Sequence, residues 1–307
     1  MSTGTLRRIG GRLTSLVATL LVALTMAFIL GRLSGDPTIN MLGATAPEEQ
    51  REALRHQLGL DQPILEQYLN YLKGIFTGDL GQSLQFYQSN VSLILERAPY
   101  TLQLVACGMA LAVLVGVPLG VLAATREGTW WDRGASGLAL LGQSVPVFWL
   151  GMMLVVLFAV KLGWLPAGQA GSPSHLVLPA ITMSLYPMAH VARLTRASMG
   201  EALVEPYVDS ARARGLGSRR IVWRHAFKNA MMPIITIVAL QAGILMSGAV
   251  AVEYVYSWPG IGQLALQAIQ FRDFPLVQSI VVFGAIVFVL LNLAVDVIHS
   301  IVDPRVR

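Results

Sequence analysis

Long stretches without a charged side chain dominate the chain and determine its predicted architecture. A helix needs about 20 residues to cross a bilayer, and each of these stretches could supply one crossing. The uncharged runs cover residues 13–30, 98–125, 134–160, 162–192, 229–252 and 274–295. In the fourth run, Gly, Pro and Ser between 163 and 174 indicate a loop, so its helix is expected near Leu176. The pattern predicts an all-α integral membrane protein with six transmembrane helices.

The positions of the basic residues orient these predicted helices. Six crossings place both termini on one side, and fifteen of the 22 Lys and Arg residues fall on that side. Basic residues accumulate on the cytoplasmic side of membrane proteins, so we expect cytoplasmic termini. The first run follows Arg7, Arg8 and Arg12 and is compatible with a signal peptide or an uncleaved span. We favour the span, because no small-residue cleavage pattern follows it.

A polar segment separates the first run from the other five. We expect three parts: residues 1–33 with the first span, an extracytoplasmic cap over 34–99, and a five-helix core over 100–307. The core includes a cytoplasmic loop at about 194–230. Within the cap, helices are predicted to begin after Pro47 and after Pro63.

Composition agrees with a membrane protein. Hydrophobic residues make up 54% of the 307 residues and charged residues 13%, against about 25% charged in soluble domains. The mean hydropathy is +0.61. The one cysteine, Cys107, lies inside an apolar run and can form no internal disulfide.

The most basic segment between two apolar runs covers residues 207–233. It carries six cations against one acid, Asp209, and Gly215-Leu216-Gly217 separates two helical patterns within it. In the second pattern Arg220, Arg224 and Lys228 are four residues apart and are expected on one helical stripe. Pro233 is expected in the first turn of the following span. A folded basic hairpin between two spans suggests a docking site for another protein.

The chemistry that the sequence lacks narrows the functional classes. We find no phosphate-binding loop, dinucleotide-binding glycine pattern, catalytic motif or paired-cysteine metal site. Charged residues are nearly absent from the predicted mid-membrane positions, where ion-coupled carriers keep them. A protein that moves a solute with energy from a partner is therefore favoured. A stand-alone secondary carrier and a membrane-embedded enzyme are the alternatives.

Several short motifs resemble one known family. Residues 209–215 resemble the Glu-Ala-Ala-x-x-x-Gly loop of bacterial ABC-importer permeases, with Asp209 and Ser210 in place of Glu and Ala. The sequence around these residues is similar to that of the dipeptide, oligopeptide and nickel branch of the same family. Other matches are Gly35-Asp36-Pro37, Leu58-Gly59-Leu60-Asp61-Gln62-Pro63, Gly78-Asp79-Leu80-Gly81-Gln82-Ser83, Trp258-Pro259-Gly260-Ile261-Gly262, Arg272-Asp273-Phe274-Pro275 and Asp303-Pro304-Arg305.

The resemblance implies a type I importer permease, the first of two paired types, in a bacterial inner membrane. Its partners would be a second related permease, two cytoplasmic ATPases that bind ATP and Mg, an extracytoplasmic solute-binding protein and the lipid bilayer. The chain itself would need no cofactor, bind no nucleic acid and catalyse nothing. The substrates implied are di- and oligopeptides, glutathione, or nickel and metal chelates.

Two groups of residues are expected to carry the function. The residues expected to couple the permease to an ATPase are Tyr207, Asp209, Ala211, Arg212, Gly215, Leu216, Arg219 and Arg220. Glu253, Trp258 and Arg272 belong to an outer loop, 253–275, that we expect to close the pathway or receive the binding protein. The alternative is that this loop only anchors the chain at the membrane interface, with Trp258 at interface depth.

Overall fold

A computed structural model describes residues 3–33, 37–43, 46–57 and 59–302. The motif residues Gly35, Asp36 and Leu58 lie outside the described residues, as do Asp303-Pro304-Arg305.

Regular structure in the described residues is helical, apart from an isolated antiparallel bridge between Gln82 and Ser89. Two π-helical segments, Val155–Lys161 and Ile221–Ala226, continue from α-helices. The α-helices are α1 (Thr3–Leu33), α2 (Pro37–Leu42), α3 (Glu48–Gln57), α4 (Ile64–Thr77), α5 (Asn90–Thr125), α6 (Trp130–Ser144), α7 (Val147–Leu154), α8 (Ser174–Leu203), α9 (Pro206–Ala213), α10 (Ser218–Arg220), α11 (Phe227–Val255), α12 (Ile261–Gln270) and α13 (Phe274–Val302).

Three described helical stretches are long and apolar enough to cross a membrane: Asn90–Thr125, Ser218–Val255 and Phe274–Ala294. The pair α6 and α7, with the π-helical segment that follows, passes the same criterion together, and α1 contains a shorter apolar stretch, Val17–Ile29. Several apolar helices are therefore present. Six crossings remain a prediction.

The run 134–160, predicted as one span, is instead broken. Its two helical parts are bent by 103° at Val145, which has an extended backbone (φ −80°, ψ 123°), and Pro146. Proline disfavours helical geometry in the residue before it. The sequence Val145-Pro146 thus accounts for the break.

The described chain forms two compact units. The first combines residues up to 99 with 263–292, and the second combines 100–262 with the described residues from 293 onward. In the first unit α3 and α4 begin directly after Pro47 and Pro63, as predicted. Buried polar contacts join its sequence-distant parts: Asn90 donates from Nδ2 to Ser279 Oγ at 3.0 Å, and Ser83 donates to Asp273.

The second unit packs around α8 and α11. One apolar cluster contains Leu104, Leu178 and Tyr256; another contains Val117, Val191 and Met199. α5 approaches α8 through Gly120, where a Cβ atom would lie 2.5 Å from the carbonyl oxygen of Ala192. Here a small residue permits close helix packing.

Candidate functional site

The basic segment folds into a helical hairpin, which we call the basic hairpin and define as residues 206–226. α9 forms its first arm, with Pro206 at the start of the helix, where a proline needs no hydrogen-bond partner. The second arm begins with α10 and continues through the π-helical segment Ile221–Ala226. The prediction of two helices on either side of Gly215-Leu216-Gly217 is confirmed.

The turn of the basic hairpin depends on Gly215. Its φ is +76°, a left-handed conformation that costs residues with a Cβ about 1–2 kcal/mol. Its N–H donates to the carbonyl of Arg212 at 2.9 Å, and Leu216 N–H donates to Ala211 at 3.2 Å. A Cβ atom at Gly215 would meet nothing within 4 Å in this chain. The turn therefore projects into open space.

A small apolar core holds the two arms together. Val208, Ala211 and Ile221 are buried against one another, with Tyr207 and Leu216 packed at the edge. The hydroxyl of Tyr207 donates to the carbonyl oxygen of Ala202 at 2.9 Å, which ties the hairpin to the end of α8. Ala211 is therefore a packing residue of the hairpin, and Tyr207 and Leu216 are only partly available to a partner.

The other predicted coupling residues lie on the surface of the basic hairpin. Asp209, Arg212, Gly215, Arg219 and Arg220 are all exposed. Arg212 donates to Asp209 at 3.1 Å. Arg219 and Arg220 line a surface depression at the start of the second arm. That depression is also lined by Trp223, whose side chain is 47% exposed. Sequence reasoning did not assign Trp223 to the site, although an aromatic ring beside arginines was a usable signal.

One detail of the second arm differs from the sequence prediction. Pro233 lies inside α11, not in its first turn, because α10, the π-helical segment and α11 form one continuous helix, Ser218–Val255. A π-turn holds more residues than an α-turn, but a four-residue step falls close to one full turn in both, so the common stripe of Arg220, Arg224 and Lys228 stays a prediction.

The predicted outer site is built around a buried carboxylate. Glu253 is 0% exposed and accepts a hydrogen bond at Oε1 from the Thr101 hydroxyl at 2.6 Å. The same hydroxyl accepts from the N–H of Ile261 at 2.8 Å. A Cβ atom at Gly260 would lie 2.2 Å from Glu253 Oε1, so the turn closes directly over the carboxylate. Glu253 thus joins α5, α11 and the turn after α11.

Trp258 lies in the core. Its ring is 2% exposed, stands edge-on to Tyr100, and its Nε1 donates to the Tyr100 carbonyl at 3.0 Å. Trp258 is therefore a core residue and not an exposed anchor, while its depth in the membrane stays a prediction. Its indole N–H finds a backbone acceptor inside the protein, as buried tryptophans usually do.

The remainder of the predicted outer loop is largely helical. α12 occupies ten of its residues, and Arg272 follows α12 with φ +54° and an exposed side chain. Its neighbour Asp273 is fully buried and accepts hydrogen bonds from the backbone N–H groups of Gln85 at 3.2 Å and Leu276 at 3.2 Å. Of the three predicted outer residues, Arg272 alone is exposed.

Two known protein families match different parts of the chain. Residues 116–307 match the family described as "Binding-protein-dependent transport system inner membrane component". The chain belongs to this family. Residues 3–105 match its companion, "Binding-prot-dependent transport system membrane comp, N-term".

Curated relatives cover nearly the full length. The dipeptide transport system permease protein DppB of Escherichia coli (strain K12) is 38% identical over 334 aligned positions, 98% of each chain. The glutathione transport system permease protein GsiC of Escherichia coli O6:H1 is 38% identical over 297 positions, covering 96% of this chain and 97% of that protein. The resemblance to the dipeptide branch is confirmed.

Solved structures support the fold. The MetNI methionine ABC transporter in an inward-facing conformation aligns with a TM-score of 0.58 at 19% identity, covering 69% of this chain and 96% of that one. An amino acid ABC transporter with histidines aligns with a TM-score of 0.54 at 15% identity, covering 68% and 94%. The chain has the fold of type I ABC-importer permeases.

Membership of the family establishes the general role. The protein is a permease subunit of an ABC importer, a multi-pass protein of the bacterial inner membrane. Permeases of this kind work with ATPase and binding-protein partners.

Proposed function

We propose that this permease is a non-catalytic subunit that forms half of an uptake pathway for di- and oligopeptides. A second, related permease would form the other half, two cytoplasmic ATPases would supply the energy, and a solute-binding protein would deliver the substrate. The full-length similarity to a dipeptide permease supports the substrate class. Equal identity to a glutathione permease supports glutathione, itself a tripeptide, as the second candidate.

The proposed topology has six membrane crossings with both termini in the cytoplasm. The first crossing falls within residues 1–33, the segment 34–99 lies outside, and the core covers 100–307. The distribution of Arg and Lys supports this orientation. In this proposed orientation the basic hairpin, within the loop at about 194–230, would face the ATPases.

The basic hairpin is the proposed coupling element, and its geometry is the observation that carries the proposal. Its apolar core and the bond from Tyr207 to Ala202 fix its shape. Its surface presents Arg219, Arg220 and Trp223, and its turn at Gly215 has no neighbour in this chain. A rigid, basic, helical tip suits insertion into a groove of an ATPase.

The test is to purify the assembled complex with Gly215→Asp. A side chain at this position would project into the space that the ATPase groove should occupy. We expect loss of ATPase stimulation by the loaded binding protein, loss of transport, or loss of the ATPase subunits during purification. Within the isolated permease the change costs about 1–2 kcal/mol for the left-handed backbone, so membrane insertion should persist.

Gly217→Ala is the matched control. Gly217 is two residues away and is also exposed with open space around it, but its φ of −64° suits any residue. Gly215→Asn has the same size as Gly215→Asp and also tolerates left-handed geometry, so it separates the effect of the added negative charge from steric blocking. If Gly215→Asp retains the subunits and the stimulated ATPase rate of the unmodified complex, the basic hairpin is not the coupling element.

The outer group would then act at the other end of the pathway. Arg272 is exposed and is proposed to contact the binding protein or to help to close the pathway. Glu253 and Trp258 are proposed to act indirectly, since both are buried and shape the turn that follows α11.

A further inference from the structure

Helix α4 carries an apolar surface that the described protein leaves uncovered. Leu65, Leu69 and Phe76 are 70%, 56% and 80% exposed, and Ile64 beside them is 72% exposed. At 3.6 residues per turn, positions 65, 69, 72 and 76 fall on one stripe of the helix, which we call the α4 stripe. Leu72, half-buried, completes it. Four large apolar side chains in one row are more than the scattered exposure that is normal at a protein surface.

The opposite face of α4 is packed, so the exposure of the stripe does not reflect a loose helix. Gln67 is buried and donates from Nε2 to the carbonyls of Leu60 at 3.1 Å and Gln62 at 2.6 Å. Tyr68 and Tyr71 contact the Phe28 ring, with centroids 5.2 Å and 5.6 Å away. α4 is therefore held in a fixed orientation.

The contacts with α1 set the level of α4 along that helix. The hydroxyl groups of Tyr68 and Thr25 are 2.7 Å apart. Thr25 and Phe28 both lie inside the apolar stretch Val17–Ile29 of α1. Thr25 precedes the end of α1 at Leu33 by eight residues, which is about 12 Å along the axis. α4 thus packs beside the apolar part of α1, not beyond its end.

The surface of α1 continues the apolar surface of α4. Val22, Met26 and Ile29 are exposed and lie on one stripe of α1, at i, i+4 and i+7. On α4, Tyr68 borders the stripe on the side that contacts α1, while Glu66 and Lys73 border it on the other. A helix with a wide apolar face and charged residues along one edge is typical of a helix lying at a membrane interface.

We infer that α4 is an interfacial helix whose Leu65-Leu69-Leu72-Phe76 stripe is embedded in the bilayer, so that its partner is the acyl region of the lipids. The stripe carries no charge, and anionic lipids are not needed for its insertion. The segment 34–99 is then tied to the membrane at a third point, in addition to α1 at its start and α5 at its end. This inference concerns the outer segment alone and does not depend on the substrate or on the coupling role of the basic hairpin.

Site-directed spin labelling of the assembled importer in phosphatidylcholine nanodiscs tests the inference. In a Cys107→Ala background, single cysteines replace Leu65, Leu69 or Phe76, and Lys73→Cys serves as the control on the charged edge of the same helix. Oxygen partitions into lipid and a nickel chelate stays in water. We expect labels on the stripe to be relaxed by oxygen and protected from nickel, and the label at position 73 to show the reverse. Adding phosphatidylglycerol should leave this difference unchanged.

Two results would overturn the inference. Nickel accessibility at Leu69→Cys equal to that at Lys73→Cys would place the stripe in water. Protection from both reagents would mean that a protein covers it. A photoreactive amino acid at position 69 separates these cases directly, because cross-linking to phospholipid supports the inference and cross-linking to a protein subunit contradicts it. ATPase stimulation and transport by each variant, compared with the Cys107→Ala complex, confirm that the labelled complexes are assembled.

Discussion

The guanidinium of Arg196 holds the carboxylate of Asp132 through two hydrogen bonds, from Nε to Oδ1 at 2.6 Å and from Nη2 to Oδ2 at 2.9 Å. The backbone N–H of Gly128 donates to the same carboxylate at 3.1 Å. Asp132 lies in the first turn of α6, and Arg196 lies near the end of α8, ten residues before the basic hairpin begins. Two-point binding of this kind fixes orientation as well as distance. It therefore fixes the start of α6 against the helix that leads into the basic hairpin.

Replacing Asp132 with Asn should weaken this junction. Asparagine keeps the shape of the side chain but removes the charge that both guanidinium bonds use. We expect a loss of roughly 1–2 kcal/mol in the stability of the permease and a weaker stimulation of the ATPase by the binding protein. Thermal unfolding and the stimulated ATPase rate of the purified complex measure the two effects. Arg193→Lys is the control, since exposed Arg193 makes one side-chain bond, to Gln143. Equal effects of both variants would argue against a special role for Asp132 and Arg196.

A second prediction concerns the hydrogen bond between Thr101 and Glu253. Thr101→Val keeps the shape of the side chain but removes the donor to Glu253 and the acceptor for Ile261 N–H. Losing a buried hydrogen bond to a charged group costs about 1–3 kcal/mol, so we expect less folded protein in the membrane and a lower unfolding temperature. Thr101→Ser retains the hydroxyl and should behave nearly as the unmodified protein does. An unfolding temperature that is the same for the valine and serine variants would show that the hydroxyl is not needed.

Trp258 and Arg272 should respond differently to alanine. Trp258→Ala empties a buried site and should cost about 3–5 kcal/mol, so its membrane abundance should fall. Arg272→Ala removes an exposed side chain, and abundance should be unchanged while transport falls if Arg272 contacts the binding protein or the closing pathway. Immunoblots of membranes and uptake of a labelled dipeptide separate the two variants. Normal uptake with Arg272→Ala would remove the proposed role of this residue.

The proposed topology can be tested by labelling cysteines in whole cells. In a Cys107→Ala background, Gln82→Cys should react with an impermeant maleimide added outside, because residue 82 is exposed and belongs to the outer segment. Ser218→Cys, also exposed, should react only after the membrane is permeabilised. A variant at the exposed Glu127 supplies a second cytoplasmic position in case an ATPase covers Ser218. The opposite pattern at positions 82 and 218 would contradict the orientation.

Much of the basic hairpin could be predicted from sequence, because its signals are local. Glycine permits the turn at 215, and the charged run marks a break between apolar helices. The same holds for α3 and α4, each of which begins at a proline followed by a helical pattern. Which residues of the hairpin are exposed was harder to predict from the sequence. Ala211 was predicted to contact a partner and is buried instead. Its burial depends on Ile221, which lies across the turn, and no single-helix pattern shows that contact.

Long-range contacts account for most of what sequence reasoning missed. An apolar tryptophan looks the same in a core and at a membrane interface, so only the acceptor on Tyr100 distinguishes the two for Trp258. Asp132 and Arg196 are 64 residues apart, and the local sequence around either residue does not indicate that the other is its partner. α12 was hidden because the glycines and prolines at its ends read as an irregular loop. Pro233 was placed at a helix start, which is where prolines are common, but the continuous helix includes it.

The helix Ser218–Val255 runs without interruption from the basic hairpin to the turn that follows α11. Its 38 residues span about 57 Å at 1.5 Å per residue, from the tip of the basic hairpin to the turn that covers Glu253. Because no loop interrupts it, a tilt of only 5° would displace one end relative to the other by about 5 Å. The two places where such a rod yields most easily, the π-turn at 221–226 and Pro233, both lie toward the hairpin end. If the basic hairpin is the coupling element, the bend would be taken up at these two places, and residues 234–255 would follow as a stiff arm.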